Sequence, residues 1–143
     1  MMHPNQKPWE SYRKIAAQTA SPGHLVLMLY DGAIKFLEKA LTGFDYKDPQ
    51  MFNQTINNNI VRAQAIIHEM NGNLNMQAGG DVAQNFRRLY SYLHRRLREA
   101  NMTKRREPIE EALTRLRILR DSWNEMLKRG PERNNDPAAL AAA

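Results

Sequence analysis

The stretch Ser21-Pro22-Gly23-His24-Leu25-Val26-Leu27-Met28-Leu29-Tyr30-Asp31-Gly32-Ala33 decides the fold. Ser21 can cap a helix, and Pro22 suits the first helical position, where its missing N–H has no partner to lose. Leu25, Leu29, Ala33, Phe36 and Ala40 then share one face, and Val26, Tyr30, Ile34, Leu37 and Leu41 widen it until Gly43 ends the segment. A stripe that broad predicts a helix buried on more than one side. Gly32 interrupts it at a cost of about 1 kcal/mol relative to alanine. Either a neighbouring helix packs closely there, or a partner chain passes near the backbone.

The same grammar repeats downstream. Asp48-Pro49 opens a second helix with Phe52, Ile56, Ile60, Ala63, Ile67, Met70 and Leu74 at spacings of three and four. Gln77-Ala78-Gly79-Gly80 breaks it, and Asp81 is expected to cap a third carrying Val82, Phe86, Leu89 or Tyr90, Leu93, Leu97 and Ala100. Glu107-Pro108 starts the last, with Ile109, Leu113, Leu116, Leu119 or Arg120, Trp123 and Leu127, and Gly130-Pro131 stops it. No segment alternates with period two. Four helices of about 20 residues, joined by loops of about 4–8, predict an all-α, antiparallel up-down four-helix bundle over residues 21–130. Residues 1–20 are polar and proline-bearing, with Trp9, Tyr12 and Ile15 three residues apart. They read as an arm that orders only against another surface. Residues 131–143 read as a disordered, low-complexity tail.

The chain has 143 residues and no cysteine, which excludes disulfide scaffolds, thiol catalysis and cysteine-ligated zinc or iron–sulfur sites. The longest apolar run, Leu25 to Tyr30, is far short of the ~18 residues of a membrane span. The first residues lack the apolar core of a secretory signal, so a cytosolic chain with no membrane insertion is expected. The net charge of +6 is concentrated: residues 87–106 hold eight Lys/Arg and only Glu99 as an acid.

Chemistry-bearing motifs are scarce. No phosphate-cradling glycine loop and no Glu-x-x-His pair is present. His3, His24, His68 and His94 stand on separate segments with no local ligand spacing. The chain is therefore read as non-enzymatic, with no metal, cofactor or small-molecule substrate. Met28, Met70, Met102 and Met126 sit at or near apolar faces, as core fillers or as an adaptable binding surface. Tyr90, Tyr92 and His94-Arg95-Arg96-Leu97-Arg98 interleave aromatics with arginine, which makes a nucleic-acid-binding bundle using residues 87–106 the alternative reading. Against it, the arginines form no continuous i, i+4 stripe, and cations near a helix C-terminus need no ligand to explain them.

Several motifs together resemble the FliS family of flagellin-specific export chaperones. They are Ser21 to Ala33, Arg62-Ala63-Gln64-Ala65-Ile66-Ile67, Gly79-Gly80-Asp81-Val82-Ala83-Gln84-Asn85, Leu89 to Asn101 and Leu119-Arg120-Asp121-Ser122-Trp123. The likeness runs over about residues 11–128; His94 and the basic run Thr103 to Arg106 depart from the family pattern, whereas Arg95-Arg96 belongs to it. The resemblance implies a helical bundle that holds the C-terminal, helix-forming region of flagellin in apolar grooves, keeps it unpolymerised, and delivers it to a component of the flagellar export gate. It implies an arm that lies over the groove until the client displaces it. Taken with the wide apolar stripes, it places the groove on Leu25, Met28, Leu29, Gly32, Phe36, Ile60, Ile67, Met70, Leu89, Tyr90, Leu93, Leu97, Leu116 and Trp123. Gate docking falls to Trp9, Tyr12 and Ile15, with Tyr12 at the family's tyrosine position ahead of the Ser-Pro pair. A monomer or weak homodimer is expected.

Overall fold

A computed structural model describes residues 21–129. Four helices account for nearly all of them: α1 (Pro22–Thr42), α2 (Pro49–Gly72), α3 (Met76–Thr103) and α4 (Glu107–Lys128). No strand occurs among the described residues. The protein is all-α, as its periodicity predicts. Trp9, Tyr12, Ile15 and the tail 131–143 lie outside the described residues.

Local chemistry sets most of the helix starts. The Ser21 hydroxyl accepts from the His24 N–H and lies 2.8 Å from His24 Nδ1, with Pro22 in the first turn. Asp48 Oδ2 accepts from the Met51 N–H at 3.1 Å ahead of Pro49. Each cap satisfies a donor that the first turn leaves without a partner.

Two boundaries differ from expectation. The third helix is capped by Asn75, whose Oδ1 accepts from the Ala78 N–H at 2.9 Å, and not by Asp81. One turn forms before Gly80, which kinks the helix at φ 53° and ψ −127°, a conformation that side-chain-bearing residues rarely adopt. The glycine pair therefore bends a helix where a break is predicted. Gly43, in turn, is not a left-handed cap. Its φ is −63°, and the chain tightens there into a 3₁₀ turn, Gly43–Asp45.

The connections are short: residues 43–48, 73–75 and 104–106. Links of that length force consecutive helices to run antiparallel. α1 packs on α2, α2 on α3, α3 on α4, and α4 returns to α1, closing a four-membered ring. That closure explains the broad stripe of α1, since one helix is covered by two neighbours. Leu37, Ile56, Ile60, Ile66, Ile67, Leu93, Leu97, Ile109 and Leu116 are fully enclosed. Each such side chain stabilises the fold by about 1.5–3 kcal/mol through removal of apolar area from water. No described helix is long and apolar enough to cross a membrane.

Candidate functional site

The fourteen groove candidates divide by burial. Leu29, Gly32, Phe36, Ile60, Ile67, Met70, Tyr90, Leu93, Leu97, Leu116 and Trp123 are buried. Leu25, Met28 and Leu89 are half-buried. Of the paired alternatives in the sequence, Tyr90 points inward and Leu89 stands at the edge, while Leu119 and Arg120 are both half-buried.

Two polar contacts pin the core. Tyr30 and Tyr90 meet hydroxyl to hydroxyl at 2.6 Å between α1 and α3. Burial pushes the Tyr30 phenol up to about 12, and it pushes Tyr90 well above the ordinary value too. Both are neutral, so one donates and the other accepts. At the end of the bundle, Trp123 Nε1 donates to the Gly23 carbonyl at 2.7 Å. Gly23 lies so close to α4 that an added Cβ would stand 2.6 Å from Leu127 Cδ2. Ser21-Pro22-Gly23-His24 is thus a joint: a cap, a helix-starting proline, and a glycine that admits the last helix.

The basic stretch is mostly engaged. Arg96 bridges Glu99 and Glu111 at 2.7 Å each, with Glu107 at 3.9 Å. The Tyr92 hydroxyl also donates to Glu111, at 2.9 Å. The Arg96 hydrogen bond, followed by that of Tyr92, holds the Glu111 carboxyl below the usual carboxylate range. Arg105 pairs with Glu107, Arg106 with Glu110, Arg87 with Asn71 and Arg88 with Asn85, and Arg95 lies over the Tyr92 ring. Seven of the eight cations of residues 87–106 therefore have partners, three of them carboxylates, once the contact of Lys104 with Asn101 is included. Arg98 has none among the described residues, and Lys104, like Arg87 and Arg88, meets a neutral asparagine side chain.

Sequence spacing misses one feature altogether. A cleft of about 670 Å³ opens between α2 and α3, lined in part by His68, His94, Arg98 and Lys104. The two histidine rings stand 6.3 Å apart, edge to face, although the residues are far apart in the chain. Burial, then His68 and Arg98, push His94 below the ordinary imidazole value, so it is neutral at pH 7. No group of three or more potential metal ligands occurs among the described residues. A helix stripe carries no record of which other helix it faces, so only the packing could bring these residues together.

Comparison with known proteins places the architecture. The family described as "Flagellar protein FliS" matches residues 5–130. The chain is 31% identical to the "Flagellar secretion chaperone FliS" of Bacillus subtilis (strain 168), over 86% of this chain and 88% of that protein. It is 30% identical to the protein of the same name from Salmonella typhimurium, covering 78% of this chain and 80% of that one. The Escherichia coli (strain K12) protein of that name is also 30% identical, with the same coverage of each. A family match over residues 5–130, on a four-helix ring, makes this protein a member of the FliS family of flagellar secretion chaperones.

Proposed function

We propose that this protein is a cytosolic, non-enzymatic chaperone of flagellin. It takes the disordered C-terminal helical region of flagellin into apolar grooves, one chaperone to one client. Covering that region blocks filament assembly before export. The observation that carries the reading is membership of the flagellar secretion chaperone family over residues 5–130. The half-buried Leu25, Met28 and Leu89 supply the accessible surface of the groove, and the eleven buried candidates form the helix–helix core beneath it. An amphipathic client helix would be recognised by its apolar face, ordering as it docks. The arm, through Trp9, Tyr12 and Ile15, occupies the groove when it is empty and docks on the export gate once released. The engagement of seven of the eight basic residues in 87–106 weighs against the nucleic-acid alternative.

Calorimetry tests the reading with full-length flagellin and with flagellin lacking its C-terminal segment. The full-length client is expected to bind one to one, with a negative heat-capacity change from apolar burial. The truncated client is expected not to bind. Equal binding of both would sink the groove mechanism.

A further inference from the structure

The cleft between α2 and α3 shares no residue with the groove candidates. Its walls are two helical stripes: Asn57, Val61, Gln64 and His68 on α2, facing His94, Arg98, Asn101 and Met102 on α3. The α2 members lie three or four residues apart over about three turns, roughly 16 Å, and the α3 members, closed by the adjacent pair Asn101-Met102, cover about two turns, roughly 12 Å. Two physical features set this surface apart. First, Val61 and Met102 are 50% and 78% exposed, two of the five large apolar side chains that the described structure leaves in water. Second, Arg98 and Lys104, two of the five cations of the basic stretch that have no carboxylate partner, both line it and outnumber its one acid, Glu69. Lys104 also has φ 51°, a left-handed backbone that costs a side-chain-bearing residue about 1–2 kcal/mol. A glycine would escape that cost, yet a lysine stands there with its ammonium at the cleft.

We propose that this cleft is a second docking surface, for an acidic amphipathic helix of a partner protein other than the groove-bound client. The partner's carboxylates meet Arg98 and Lys104, and its apolar side chains meet Val61 and Met102. Charge complementarity selects this occupant: two cations without carboxylate partners beside exposed apolar groups suit a helix carrying acids and leucines. A nucleic-acid strand would need free cations tracking successive phosphates and flat rings for the bases. Here only two cations, Arg98 and Lys104, line a cleft with no Tyr, Trp or Phe in its lining.

The test uses the full chain and a 14-residue synthetic peptide, with leucines at positions i, i+3, i+4 and i+7 and glutamates between them. Amide shifts in nuclear magnetic resonance spectra are expected to move along residues 57–68 and 94–104. Arg98→Glu combined with Lys104→Gly, a glycine the left-handed backbone accepts, should weaken binding at least tenfold while the far-ultraviolet spectrum stays unchanged. A scrambled peptide of equal charge should bind at least tenfold more weakly. The proposal is overturned if no peptide binds at millimolar concentration, if shifts map elsewhere, or if the scrambled peptide or the variant binds equally. Tighter binding of a single-stranded oligonucleotide, or a dimer of the free chain that the variant dissociates, would give the face to another occupant and overturn it too.

Discussion

The hydrogen bond between Tyr30 and Tyr90 concentrates risk in two oxygen atoms. Removing one hydroxyl strands the other in a dry core, at a cost of about 1–3 kcal/mol, whereas removing both leaves nothing unsatisfied. Tyr30→Phe and Tyr90→Phe should therefore each destabilise in urea titrations, and the double variant should be more stable than the sum of the singles implies. Each phenol ionises at higher pH in the fold than in the unfolded chain. The native state then holds more protons above pH 10, so stability falls as pH rises from about 10 through 12. The double phenylalanine variant should lose that alkaline slope. At the other end of the scale, Glu111 has its pKa lowered by Arg96 and Tyr92. The unfolded chain takes up that proton first, so the contribution is present near neutrality and is lost as pH falls through the folded value. Arg96→Met should move the acid unfolding midpoint to higher pH, followed by circular dichroism. An unmoved midpoint would mean that the exposed bridges to Arg96 contribute nothing measurable.

At the level of helices, Gly43 answers to crowding and not to backbone freedom. A Cβ there would lie 2.8 Å from Ile56 Cγ1 and 3.1 Å from the Ile56 backbone nitrogen. The side chain could turn away, but the backbone cannot. Gly43→Ala should therefore destabilise by about 1–3 kcal/mol, the range typical of overpacking. Gly72→Ala, where an added Cβ meets nothing within 4 Å, should not. Helix grammar was legible in the sequence where it is local: Ser21-Pro22 and Asp48-Pro49 each place a side-chain cap beside a proline, and both caps form. It was illegible at Gly79-Gly80, because glycine can equally end a helix or bend one, and only the Asn75 cap upstream decides. The stripe of α1 fails as a site signal for a related reason. Leu29 and Phe36 face inward whether a sister helix or a client covers them, and periodicity records only that they are covered. The α2–α3 cleft is the reverse case, with His68 and His94 joined by packing alone.

For the whole molecule, the proposed switch between arm and client predicts a measurable competition. Deleting residues 1–20 should raise flagellin affinity, because the empty state loses its internal occupant and the competent fraction rises. The same deletion should lower the melting temperature of the free chaperone, read by scanning calorimetry. Trp9→Ala with Tyr12→Ala should keep flagellin binding and lose docking to the export gate. Weaker flagellin binding after the deletion would make the arm part of the client site and end the switch idea.

The joint between Trp123 and Gly23 also has a consequence in time. Its partners are 100 positions apart in the chain. At a synthesis rate of about 5–20 residues per second, the first helix leaves the ribosome roughly 5–20 s before its last neighbour exists. Through that interval the newborn chain carries an uncovered leucine-rich face, and every earlier helix it meets can hide only part of it. A member of a chaperone family thus begins life with an apolar face of its own to shelter.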